Sequence, residues 1–244
     1  MAGHSKWSKI KNSKGAADQQ RGKVFQKFSK EIYVAAKNGG PDPATNPALR
    51  LKVDKAKAAN MPNDNINRAI KKATTAGEGE NYEEVNYEGY GPNGVAVLVH
   101  TLTDNRNRTA TNIRVAFNKN GGSLGETGSV SYMFERKGYI AIDRENLDVD
   151  EDTMLMSVLE AGGEELETSD EVFEIYTNPS DLADVRDALQ AEGYILAQTE
   201  STMVPQIMVQ VDPDKEELFL TMIEKLEDDD DVSEVFHNAE LSES

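Results

Sequence analysis

VAVLVHTLTDNRNRTATNIRVAFN, residues 95–118, reads as a strand, a polar turn and a helix, and the partners this unit requires set the rest of the architecture. Val95 to Leu102 is an apolar run of strand length, Asp104 to Arg108 is turn-forming, and Thr109 to Asn118 reads as a helix. A strand at Ser129 to Phe134 is expected to close a first β-α-β half. Far downstream, Ile207 to Val211, Glu216 to Leu226 and Val232 to Phe236 repeat the order strand, helix, strand. Between the two halves lie a strand at Tyr139 to Ile142, a helix at Thr153 to Glu160, a hairpin through Glu165 to Tyr176, a helix at Leu182 to Ala191 and a strand at Tyr194 to Thr199. That inner stretch is a βαββαβ order by itself. The expectation is an α+β chain with two ferredoxin-like domains, one at residues 80–134 plus 206–240 and the other, residues 135–205, inserted into it.

Upstream the texture is helical. Phe25, Phe28, Ile32 and Ala35 recur at three- and four-residue steps, and Gly39-Gly40-Pro41 stops that helix. Asn46 before Pro47 reads as an N-cap with proline at the first helical position, opening a second helix through Leu49, Val53 and Ala56. A third starts after Met61-Pro62, capped by Asn63 or Asp64, with Ile66, Ile70 and Ala73 inward. Residues 1–79 are therefore expected to form a three-helix bundle.

Charge separates these regions. The net charge of −18 alone argues against a polyanionic partner, yet residues 1–72 hold 16 Lys and Arg against 5 Asp and Glu, leaving 10 basic and 39 acidic residues in the remainder. Such asymmetry points to a basic binding module joined to an acidic body. Zero cysteines exclude disulfides, thiolate metal sites and a cysteine nucleophile, and fit a reducing cytoplasm. No run of 18 apolar residues exists to span a membrane, and the N-terminus lacks a signal-peptide core.

Several apparent enzymatic motifs fail on context. Gly121-Gly122-Ser123-Leu124-Gly125 spells a nucleophile elbow, but a helix precedes this serine and a strand follows it, the reverse of what the elbow needs. Gly89-Tyr90-Gly91-Pro92-Asn93-Gly94 spells a dinucleotide fingerprint with no helix opening after it. Asp148, Asp150 and Asp152 begin like a calcium loop, yet the twelfth position is Leu159. His4, His100 and His237 have no metal-ligand spacing, and Asp228 to Asp231 reads as a solvated acidic turn. No P-loop is present. The reading is non-enzymatic, with no cofactor, no metal and no small-molecule substrate.

The basic residues carry the positive signal. A helical wheel started at Phe25 places Lys23, Lys27, Lys30 and Lys37 opposite the apolar stripe. Lys6, Lys9, Lys11 and Lys14 on the preceding arm, with Arg21, extend that line of cations. Phosphate backbones suit such a line, because neutralising them releases counterions. Reversing Lys23, Lys27 and Lys30 is accordingly expected to abolish binding and spare the fold. Trp7 lies among the arm lysines, either stacking on an unpaired base or anchoring a small core. The third helix repeats the design with Arg68, Lys71 and Lys72. A second phosphate site is expected where Arg106 and Arg108 flank a helix N-terminus, with Arg114 and Lys119 further along; the alternative is a capped turn with exposed arginines.

GHSKW at Gly3 to Trp7, NPALR at Asn46 to Arg50, ANMPNDNINRAI at Ala59 to Ile70, YEGYGPNGVA at Tyr87 to Ala96, LTDNRNRT at Leu102 to Thr109 and GGSLGETGSV at Gly121 to Val130 closely resemble the YebC family, which includes the mitochondrial translational activator of cytochrome oxidase subunit one. The resemblance covers essentially the whole chain. It implies a three-domain cytoplasmic protein labelled a DNA-binding transcriptional regulator, or else a ribosome-associated translation factor acting at proline-rich stretches with rRNA as partner. It brings no family active site. A protein-interaction adaptor working through the acidic domains is the third reading.

Overall fold

Asn46 shows how the sequence shapes the helical segment. Helix α1 (Asp18–Gly39) ends where Gly40 turns left-handed, φ +97°. The buried Asn46 side chain donates to the carbonyls of Ala35 (2.9 Å) and Gly40 (2.8 Å), closing α1, and accepts from Leu49 N (3.1 Å), opening α2 (Pro47–Ala58). Helix α3 (Asn63–Thr74) follows. Its first turn is held by the Pro62 carbonyl, which accepts from the amides of Asn65 and Ile66, so Asn63 and Asp64 lie inside the helix.

The computed structural model describes residues 18–75 and 79–242, and the chain divides into two compact units. The first combines Ala35–Thr74 with Arg136–Met203. Its sheet has the order β5-β6-β4-β7, from β4 (Phe134–Asp143), β5 (Glu165–Thr168), β6 (Val172–Thr177) and β7 (Gln198–Pro205). Helix α5 (Glu151–Ala161) follows β4 and α6 (Leu182–Ala191) follows β6, giving the expected βαββαβ order. Asp150 caps α5 by accepting from Thr153 N, and Gly162 ends it at φ +94°. Ile140, Ile142, Met154, Val158, Phe173, Ile175, Val185 and Leu189 form the core, and Leu51 of α2 packs against it. The last strand begins later than expected, at Gln198, because the amides of Glu192, Gly193 and Tyr194 still close the end of α6 on the carbonyls of Ala188, Gln190 and Leu189.

The second unit comprises residues 18–34, 79–135 and 204–242. Its sheet runs β3-β1-β2-β9, antiparallel throughout, from β1 (Glu83–Tyr90), β2 (Ala96–Thr103), β3 (Ser123–Leu124) and β9 (Val232–His237). Helices α4 (Arg106–Lys119) and α7 (Pro213–Glu227) cover one face, with Ile113, Phe117, Phe219, Met222 and Leu226 packed on Val95, Val97 and Val99. Two expected strands come out differently. Ser129 to Phe134 is instead a 3-10 turn at Ser131–Met133 before β4, because the Glu88 carboxylate takes the amides of Gly128, Val130 and Ser131, and those of Ser129 and Met133 close local turns. The place beside β2 is filled by β1, paired from Glu83 with Thr103 to Tyr90 with Ala96. Ile207 to Val211 shrinks to β8 (Val209–Gln210), paired in parallel with β10 (Ala239–Glu240) off the main sheet.

Candidate nucleic-acid interface

Two of the glycine-rich segments fit against each other. A Cβ at Gly89 would lie 2.6 Å from the Phe117 ring and 2.7 Å from the Ser123 carbonyl, and one at Gly122 would lie 2.6 Å from the Tyr90 carbonyl. Gly125 N donates to the Glu88 carbonyl at 2.7 Å, and the Tyr90 hydroxyl to the Ser129 carbonyl at 2.9 Å. The glycines serve close backbone approach. Burial raises the Glu88 carboxyl, but the amides of Val130, Gly128 and Ser131 outweigh it and hold the group below the ordinary glutamate value.

The lysine face of α1 lies where the wheel puts it, but packs on another part of the chain. Lys23 Nζ lies 2.6 Å from Asp228 Oδ1, Lys27 Nζ donates to the Glu227 carbonyl, and Lys30 Nζ donates to the Asp230 carbonyl at 2.9 Å and stands 3.6 Å from Asp231 Oδ1. These three lysines, expected to face solvent, face the acidic turn after α7. The wheel gives the direction opposite Phe25 and Ile32, and that direction is occupied by residues 200 positions away. Lys23 is raised by its hydrogen bond to Asp228, whose carboxyl is correspondingly lowered, whereas burial lowers Lys27 against the pull of Asp229 and its neighbours. Arg21 is exposed on the same helix, and Lys37 is exposed in its last turn.

The second phosphate site is also filled from within. Asn105 caps α4 by accepting from Arg108 N at 3.0 Å, so the turn is capped. Arg108 donates to both oxygens of Asp231, at 2.7 to 2.9 Å, and to Asp104 at 2.8 Å. Asp231 is 2% exposed and also accepts from Thr109 Oγ1 at 2.9 Å. The Arg108 guanidinium is thus raised by these carboxylates, and Asp104 is lowered by Arg108. A phosphate there would meet the carboxylates of Asp104 and Asp231 already in place. Arg106 pairs with Glu83 at 3.6 Å, while Arg114 and Lys119 are exposed on α4. The acidic run, read as solvated, therefore holds a buried anchor; the clue in the sequence is that Asp231 directly precedes the apolar strand Val232 to Phe236.

In the other unit, Arg50 pairs with Asp187 (3.2 Å), Lys55 with Glu200 (3.3 Å), and the buried Arg186 with Asp54 (3.6 Å). Arg68, Lys71 and Lys72 are exposed on α3, opposite the buried Ile66 and Ala69, and Lys57 is exposed on α2. Residues 35–74 hold eight basic against three acidic residues, and Arg68, Lys71 and Lys72 are exposed among them. Lys6, Trp7, Lys9, Lys11 and Lys14 lie outside the described residues. No group of His, Asp or Glu suited to a metal ion occurs among the described residues, and none of their helices is long and apolar enough to cross a membrane.

The chain matches the model of the TACO1/YebC protein N-terminal domain over residues 5–76, and that of the TACO1/YebC second and third domain over residues 82–239. It is 69% identical to a protein of Enterococcus faecalis over 98% of this chain and 99% of the relative, and 65% identical over the whole of both chains to one of Ligilactobacillus salivarius. Both bear the name "Probable transcriptional regulatory protein". A crystal structure of a conserved hypothetical protein from Aquifex aeolicus superposes with a TM-score of 0.83 at 45% identity, covering 93% of each chain.

Proposed function

Because the chain belongs to the TACO1/YebC family, we propose that it is a regulator of gene expression that works by binding nucleic-acid phosphates through its basic helical segment. The observation that carries this is the exposed group Arg68, Lys71 and Lys72, within a segment of eight basic and three acidic residues. Cations so placed release counterions from a phosphate backbone and bind with little regard for sequence. The relatives' name, "Probable transcriptional regulatory protein", supports a role in transcription, for which DNA is the target we propose.

A second reading has its own support. Residues 136–203, in the same unit as α2 and α3, hold eighteen acidic against four basic residues. Such a charge repels the flanks of a long duplex and suits a compactly folded RNA element, such as one within rRNA, which only the basic segment need approach. Crosslinking in cells followed by sequencing tests both readings. Recovery of promoter fragments supports transcription, recovery of ribosomal RNA supports translation, and recovery of neither overturns nucleic-acid binding.

A further inference from the structure

The acidic turn 227–231 makes two kinds of contact. Asp231 is buried, fixed by Arg108 and Thr109, and joined to the sheet through its carbonyl, which accepts from Leu102 N at 2.8 Å. That contact anchors the turn. Asp229 belongs with it, accepting from Asn112 Nδ2 and from Asp231 N, both at 2.8 Å. Asp228 and Asp230 differ: both are exposed, and in the Lys23–Asp228 pair the side chains are 43% and 60% accessible. Exposed pairs exchange readily with solvent and other anions. Beside them a cleft of about 560 Å³ opens, lined by Lys23, Lys30, Tyr82, Lys225 and the turn.

From this arrangement we propose that the turn stands in for a phosphate backbone, and that the Lys23-Lys27-Lys30 face of α1 is a second, conditional surface for a polyanionic nucleic-acid strand. A row of carboxylates and carbonyls on successive residues presents oxygen acceptors to these lysines much as a run of phosphodiesters does. An incoming strand replaces the Asp228 carboxylate on Lys23 and the Glu227 and Asp230 carbonyls on Lys27 and Lys30, while Asp231, held by Arg108, keeps the turn attached and the unit folded. The face is masked in cis until a strand of sufficient charge density competes. This extends the nucleic-acid reading above and rests on it.

The test uses the full chain and a fluorescent single-stranded RNA with its DNA counterpart as probes. Asp228→Asn combined with Asp230→Asn unmasks the face; Asp148→Asn with Asp170→Asn, two exposed acids of the other unit, changes the net charge equally and controls for bulk electrostatics. The unmasked variant is expected to bind about three- to tenfold tighter at low salt, since it removes the exposed Lys23–Asp228 pair and the Asp230 charge beside the lysines, each worth a factor of a few. Its log–log salt dependence is expected to steepen by about two to three released counterions. If wild type binds and the two double variants behave alike, the mask is refuted and the basic-segment reading stands. If neither wild type nor the unmasked variant binds, both fall. Adding Lys23→Gln and Lys27→Gln to the unmasked variant must return its affinity and slope to wild-type values; retained tight binding also overturns the proposal.

Discussion

Glu88→Ala removes the acceptor that organises the turn leading from β3 into β4. The carboxylate takes amides from Gly128 (2.9 Å), Val130 (2.7 Å) and Ser131 (2.9 Å), and the residue is 5% exposed. Hydrogen bonds to an ionised acceptor contribute about 1.5–3 kcal/mol each. The Gly128 and Ser131 amides are part-buried and regain water when the side chain is cut back, whereas the buried Val130 amide does not. The net cost is therefore about 3–4 kcal/mol, below the sum of three bonds but above that of one. For a chain of this size that lowers the melting midpoint by about 10 °C. Urea melts followed by circular dichroism, with Glu88→Gln as the isosteric companion, measure it. A loss below about 1 kcal/mol in both variants would show that the turn is held by other contacts and would refute the reasoning.

The same group sets a pH dependence. Because the folded state holds the Glu88 carboxyl below its ordinary value of 4.5, its stabilisation is fully present above that value and is lost as pH falls through the depressed one. Wild type and Glu88→Gln should accordingly differ in urea midpoint at pH 7 and converge in acid; a constant gap contradicts the linkage. Gly138→Ala should cost about 2–4 kcal/mol in a thermal melt, since a Cβ there overlaps Thr177 Oγ1 and presses to 2.9 Å from Leu182 Cβ; an unchanged midpoint would refute the packing. Lys27→Glu, placed against Glu227 and its acidic neighbours, should destabilise the chain by about 2 kcal/mol or more, so reversal of the α1 lysines is not a clean binding test. Arg68→Gln with Lys71→Gln and Lys72→Gln, all exposed, should weaken nucleic-acid binding at least about tenfold while the chain still melts cooperatively; equal affinity in a gel-shift titration counts against the interface.

Local chemistry explains why parts of the chain were legible. The Asn46-Pro47 pair, the Asp150 cap and the apolar spacing of residues 139–191 announce their elements through short-range hydrogen bonds and periodicity. Strand β1 is poorly announced by its sequence although Val85 and Tyr87 alternate with polar residues, because Glu83, Glu84 and Glu88 give it a loop-like composition. Ser129 to Phe134 has strand composition, but its amides are taken by a carboxylate some forty residues earlier and by local turns. Lys23, Lys27 and Lys30 lie opposite the apolar stripe as a wheel requires, and a wheel carries no information about what packs on that side. Arg108 was recognisable as an anion-binding arginine; that its anion is Asp231 depends on β9 pairing with β2, a contact between residues far apart in the chain.

If a cationic helical segment draws an otherwise acidic chain onto phosphate, binding must weaken as salt displaces it. Measuring the affinity of the wild-type protein for a short RNA and the matching DNA from 50 to 300 mM salt tests it most directly. The logarithm of K should fall linearly with log salt, with a slope of about −2 or steeper for three or more phosphate contacts. A slope near zero, or binding that persists unchanged across that range, would contradict it.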